Sequence, residues 1–166
     1  IQLEAESFNL ERKKISIFRF NAVATPVLNR AKLNIHHYRA GESTWNSSLL
    51  HEILPERYRS VNSSLKIKGF IWSFFLDGKI VLTVRTLRAK IQPKKGLIRL
   101  EKVRIDFPEP GHHIFSSLVL WKDKQHHLFI PGSYVEEIKG GRSKHNRRII
   151  NPFFIDSRTD QSTRIT

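Results

Sequence analysis

The densest apolar run, "GFIWSFFLDGKIVLTVRTL" at residues 69–87, is interrupted by Asp77, Lys79 and Arg85 and preceded by Lys66 and Lys68. A membrane-spanning helix needs about 20 consecutive, predominantly apolar residues, so this run does not suit a span. Asp77-Gly78 instead predicts a hairpin turn, because Asp-Gly supplies the two positive φ angles of a type I′ turn. The strand before it, "LKIKGFIWSFFL", begins with Leu65 and Ile67 alternating with Lys66 and Lys68, then becomes apolar on both faces. The strand after it, "KIVLTVRTLRAKI", is rich in β-branched residues and polar at alternate positions toward its end.

The same period of two recurs along the chain. In "GLIRLEKVRIDF", Val103, Ile105 and Phe107 alternate with Lys102, Arg104 and Asp106, the pattern of a strand with a charged outer face. "HIFSSLVLW" and "HHLFI" predict another hairpin around "KDKQ". Upstream, "ISIFRFNAV" predicts a strand covered on both sides, ended or edged by Pro26, and "KLNIHHYR" a second, with Leu33, Ile35 and His37 on one face. Between Gly41 and Pro55, "ESTWNSSLLHEILP" predicts the one helix: Ser43 or Thr44 caps it, Pro55 stops it, and Trp45, Leu49 and Ile53 form a stripe suited to a sheet. Seven or eight strands and one helix give a mainly β chain, a β-sandwich or partly closed barrel with one clear helix packed on it. The pattern divides it into a basic polar arm (1–14), a β-rich domain (15–139) and a basic C-terminal segment (140–166). Gly140-Gly141 is the hinge of that segment, and Phe153 to Ile155 form a short apolar anchor.

Length adds little to this picture, since 166 residues suit one domain with a sizeable core. Charge changes it. Lys and Arg number 29 against 15 Asp and Glu, a formal net charge of +14, and such a field attracts polyanions, either nucleic acid or an anionic membrane surface. The cations cluster as Arg12, Lys13 and Lys14; Lys66 and Lys68; Arg88 and Lys90 near Arg85; Lys94 and Lys95; Lys102 and Arg104 near Arg99; and Arg142, Lys144, Arg147 and Arg148. Alternate residues of a strand lie about 7 Å apart on one face, so pairs such as Lys66 and Lys68 can meet one polyanion together. Phosphate contacts of this kind give affinity without sequence specificity. Core packing accounts for Phe18, Phe20, Trp72, Phe74 and Phe75, which leaves Tyr38, Tyr58 and Trp121 as the rings expected to be exposed.

Candidate chemistry is sparse. With no Cys, thiol catalysis, disulfides and zinc ribbons are excluded. The His doublets, His36-His37, His112-His113 and His126-His127, send their two rings to opposite faces if they lie in strands, so each doublet offers one ligand to a given site. No helical His-Glu-x-x-His, no Gly-flanked nucleophilic Ser and no phosphate-cradling Gly-rich loop occurs, so the expectation is a non-enzyme with no cofactor and no metal. Asn46 and Asn62 begin Asn-x-Ser sequons, which Ser-rich turns also produce. With no Met, the chain reads as processed, truncated or only the ordered part, from which a targeting or flexible N-terminal segment could be missing.

The order of the "ISIFRFNAV" strand, the "STWNSSLLHEIL" helix and the "KIKGFIWSFFL" strand resembles the opening layout of matrix proteins from negative-strand RNA viruses of the rhabdovirus and bornavirus type. It covers about residues 15–107, concerns arrangement, and carries over no individual residue. It implies a β-rich structural protein of the virion, located in the host cytoplasm or at the inner face of a membrane. Such a protein associates with itself and bridges RNA or nucleoprotein and anionic membrane. The alternative is a nucleic-acid-packaging capsid protein with a sandwich or jelly-roll fold, whose arms at Arg12 to Lys14 or Arg142 to Arg148 would lie against the genome. A metal-dependent nuclease built on the His doublets is a third reading.

Overall fold

The computed structural model describes residues 2–12, 24–37, 48–54 and 64–153. They form nine strands: β1 (Gln2–Glu4), β2 (Ser7–Arg12), β3 (Ala24–His37), β4 (Leu65–Leu76), β5 (Lys79–Gln92), β6 (Leu97–Asp106), β7 (His112–Lys122), β8 (His127–Ile138) and β9 (Gly141–Ile150). All belong to one sheet of order β1-β3-β4-β5-β6-β7-β8-β9, with β2 also on β3. β3 and β4 run parallel and every other neighbouring pair antiparallel. The chain is therefore mainly β, in a single mixed sheet that does not close, because β1 and β9 are not bonded to each other. No described helix is long and apolar enough to cross a membrane.

Asp77 and Gly78 make the β4–β5 turn, with φ of 48° and 78°, as the Asp-Gly pair requires. β6, β7 and β8 follow the expected alternation, with Val103, Ile105, Ile114, Trp121, Leu128 and Ile130 buried. Three expectations need correction. The helix shrinks to the five residues Leu49–Ile53 (α1), so the fold has no clear helix among the described residues; the Ser48 hydroxyl accepts the His51 amide at its start. Leu54 is already extended, at φ −99° and ψ 130°, because Pro55 crowds the residue before it out of the helical region. The N-terminal basic arm contains a pair of edge strands, β1 and β2, both antiparallel to β3. The basic C-terminal segment begins with a ten-residue strand, β9, so Gly140-Gly141 closes a β8–β9 turn and is no hinge to a free arm. The strand expected at 15–23, the helix start with Trp45, the sequons at Asn46 and Asn62, Tyr38 and Tyr58 lie outside the described residues.

One line across the sheet interrupts every strand. In β3 and β4 it passes Arg30 and Gly69, in β5 and β6 Leu87 and Lys102, in β7 Ser117, and in β8 Pro131-Gly132, opposite Arg147 of β9. The gap between β1 and β2 falls on the same line, since Glu4 pairs with Lys32 and Ser7 with Asn29. Arg30, Gly69, Lys102 and Arg147 all have positive φ. Buried positions that are two apart elsewhere become three apart here: Ile67 and Phe70, Thr86 and Ala89, Leu100 and Val103. From β3 to β7 the pairing register is the same on both sides of the line, so neighbouring strands kink together; at β8 the register shifts against β7 and β9, as at a β-bulge. Hydroxyls meet carbonyls at the line: the single Thr86 O–H lies between the carbonyls of Glu101 at 2.6 Å and Arg88 at 2.9 Å, and Ser116 donates to that of Leu118 at 2.9 Å.

The bend brings the two halves of the sheet face to face. Trp72 shares a row with Val84, Ile105 and Ile114, whereas Trp121 shares one with Ile98 and Ile91 beyond the crease. On a flat sheet the seven steps from Ile114 to Trp121 alone would span about 23 Å. The two indole rings are instead 4.9 Å apart, edge to face. Phe153, just past β9, closes the far side against Phe74 at 5.7 Å and His37 at 5.1 Å. The core therefore lies between two layers made by one creased sheet, and α1 plugs it with Leu49, Leu50 and Leu54.

Candidate polyanion-binding face

With the inner face buried, the alternate residues of β4, β5 and β6 form an outer face of stacked cations. Lys66 lies directly opposite Lys90, and Lys90 opposite Arg99; Lys68 lies opposite Arg88, and Arg85 opposite Arg104. Like charges directly opposite across a sheet repel, so rows of this kind cost stability that a bound polyanion would recover. Eight cations share this face (the seven above and Lys102), against two carboxylates, Glu101 and Asp106. Glu101 accepts from Arg99 at 3.1 Å. Asp106 accepts from Arg104 at 2.6 Å, Arg85 at 3.0 Å and His113 at 2.8 Å. Burial pushes the Asp106 carboxyl up, but the hydrogen bonds from Arg104 and Arg85 outweigh it and hold the group below its ordinary range. Among the described residues, Arg88 and Lys90 have no carboxylate partner.

The other sequence-derived cations spread around this face. Lys94 and Lys95 are exposed in the 3-10 turn that joins β5 to β6, continuing the Lys90–Arg99 end of the sheet. Lys102 sits on the crease, exposed. Arg142 and Lys144 lie on β9 opposite Glu137 and Val135, and Arg147 holds its guanidinium 5.8 Å from the centre of the Phe129 ring. Arg12 ends β2 opposite Ala24. Lys13 and Lys14 lie outside the described residues.

Arg148 is the exception, and its place as a polyanion contact is corrected. The bulge at Arg147 turns it inward, where it donates to Glu136 at 2.7 Å with both side chains 10% exposed. His112 reaches the same Glu136 oxygen at 2.8 Å. Burial raises the Glu136 carboxyl, and the hydrogen bonds of His112 and Arg148 more than reverse this, leaving it lowered. Ser143 and His145 adjoin the cluster, but His145 meets both Ser143 (2.7 Å) and Glu136 (3.6 Å) through Nε2, so the ring cannot pass a proton between them as a nucleophile's base would.

The His112-His113 doublet splits between faces, His112 joining Glu136 inside and His113 joining Asp106 outside, whereas His126 lies in the turn before β8. Among the described residues no group of three or more His, Asp or Glu could hold a metal ion. Trp121, expected to be exposed, is fully buried and donates to Asp123 at 3.1 Å. Sequence reasoning missed Arg30 and Lys32, isolated cations whose place beside the crease no period signals.

Beyond the basic rows the outer face turns apolar. Arg99 lies opposite Leu120, Leu120 opposite Phe129, and Phe129 opposite Ile149, which is 41% exposed. Lys122 sets its ammonium 4.6 Å from the Phe129 ring centre. Cations and apolar side chains thus share one surface. No family model, curated protein or solved structure matches the chain.

Proposed function

We propose that this is a non-enzymatic, matrix-like structural protein that binds polyanions with the outer face of its sheet. The observation that carries the reading is the in-register row Lys66–Lys90–Arg99, three cations on adjacent strands with Lys94 and Lys95 at its end. Neighbouring strands are about 4.8 Å apart, so a row of this kind offers phosphates a closely spaced rail. The adjoining Leu120, Phe129 and Ile149 supply apolar surface for another copy or for the headgroup boundary of a membrane. In this reading the protein belongs to a virion, at the host cytoplasm or the inner face of a membrane, and bridges RNA or nucleoprotein to anionic lipid as an ordered lattice of many copies. The capsid reading would rest on the arm at Arg12 to Lys14, because the stretch Arg142 to Arg148 is a paired strand.

The test is flotation with phosphatidylserine vesicles and co-sedimentation with single-stranded RNA across a salt series. The wild type should bind at low salt and lose affinity steeply as salt rises. The variant Lys90→Glu with Arg99→Glu should strongly weaken flotation with the vesicles. Absence of binding to both partners at low salt, or a flat salt response, sinks the proposal.

A further inference from the structure

We infer that the crease itself is a binding site, a groove for a single strand of nucleic acid running across the β-strands. The inference rests on the polyanion reading above and adds Arg30, Lys32 and Lys144 to Arg85, Lys102 and Arg104 of the basic face. Two hollows of about 480 and 520 Å³ open on the outer face and share Lys102 and Arg104. Together they follow the crease from β3 to β9. On one side the register aligns Lys32, Ile71, Arg85, Arg104, Phe115, Val135 and Lys144, one residue from each successive strand. On the other side stand the crease residues Arg30, Leu87 and Lys102, all exposed.

The floor is low for a chemical reason. Gly69 has no side chain, and Ser116, Ser117 and Ser133 are small, so the flanking Lys and Arg rise above them as walls. Arg30 and Lys32, like Lys102 and Arg104, are two residues apart on one strand, so each pair brings two cations to the same stretch of the groove. A single flexible strand can run its phosphates along this line of cations and lay its bases on the apolar side chains between them, which a duplex with its bases paired inside cannot do. From β3 to β9 the path crosses six strand spacings, about 29 Å, long enough for several nucleotides and within the range of known single-strand sites.

The chemistry of the lining suits that occupant. Six cations (Arg30, Lys32, Arg85, Lys102, Arg104 and Lys144) face two carboxylates, Glu6 on Arg30 at 3.1 Å and Asp106 on Arg85 and Arg104. Leu87 is 60% exposed, and Phe115 lies under the Arg104 guanidinium at 5.6 Å. These provide flat and apolar surfaces for bases beside cations for phosphates, the combination by which single strands are held without sequence preference. A lipid headgroup would use the cations but has no need of a path across all seven strands.

The experiment measures fluorescence anisotropy of a labelled eight-nucleotide oligouridine, and of an eight-base-pair RNA duplex, with the whole chain. Two variants carry the same change in charge: Lys102→Glu with Lys144→Glu in the groove, and Lys90→Glu with Arg99→Glu on the basic row. The groove variant should lose about tenfold or more on the single strand and the row variant less than about threefold, with the duplex binding more weakly than the single strand throughout. Neutral Lys102→Gln with Lys144→Gln, checked by circular dichroism for an unchanged fold, should weaken binding in the same order. Equal losses from both variants, or a duplex bound as tightly as the single strand, would overturn the groove while leaving the polyanion reading intact. Phosphatidylserine vesicles that lose binding in the groove variant while oligouridine does not would reassign the groove to lipid headgroups. Failure of oligouridine, vesicles and heparin alike at low salt would remove both proposals together.

Discussion

Glu136 is nearly enclosed by the protein yet charged, and it tolerates this only because Arg148 and His112 both reach it. Removing one partner of a buried pair leaves the other uncompensated, so Arg148→Met should cost about 3–5 kcal/mol in urea unfolding. Adding Glu136→Gln should recover some of that loss, since no buried charge then remains. The pH dependence of stability follows from three groups. His127 is pushed below its ordinary value by burial and by Lys122, and its Nε2 is buried with no partner among the described residues. A His with a depressed folded pKa favours the fold when neutral, so stability should fall as pH drops through about 6.5 toward the lower folded value. Glu136 and Asp106 are also lowered in the fold, and their contribution is present above the ordinary carboxylate range and disappears as pH falls through their folded values. Unfolding free energies measured from pH 7 to pH 3 should therefore descend in two stages. His127→Phe should flatten the first and leave the second.

The β4–β5 hairpin was legible in the chain because Asp77-Gly78 states its turn chemistry outright. Gly78→Ala should cost about 1 kcal/mol through backbone conformation alone, since nothing lies within 4 Å of the position its Cβ would take. β6 was legible from alternation. β9 was not, because "GRSKHNRRII" is polar on both faces and is held chiefly by its ladder with β8. The helix was over-read for an opposite reason: its apolar stripe is real and buried, but it needs only five helical residues to plug the core. The crease left no signal of its own, since three of its positive-φ residues are Arg or Lys, where the sequence offers no glycine to mark the bend. The packing it produces is testable. Trp72→Ala and Trp121→Ala should each cost about 3–5 kcal/mol, and the double variant should cost less than their sum, as expected for two side chains in contact across the folded sheet. Trp72→Phe should be mild, because the Trp72 indole N–H is buried without a partner among the described residues.

For the whole molecule, the sequence pointed to a basic surface without showing its layout. Alternate cations such as Lys66 and Lys68 could be placed on one face from spacing, but which strands lie side by side, and in what register, is decided by tertiary pairing. Only that pairing stacks Lys66, Lys90 and Arg99 in one row and turns Arg148 away from it. A net charge of +14 on one such molecule makes association strongly dependent on ionic strength, so the slope of binding against salt should become shallower in the Lys90→Glu, Arg99→Glu variant. Among the described residues β9 is an edge strand, and it carries Arg142, Lys144 and Arg147, charges of the type that discourage uncontrolled strand addition. The crease also governs how the chain can change length. Because each strand steps out of phase once and at the same line, deleting Lys102 alone would move the residues on one side of it to the opposite face of the sheet, exchanging Val103 and Ile105 with Arg104 and Asp106. The number of residues on the line is locked strand by strand, and an insertion or deletion there is tolerated only where a bulge can absorb it.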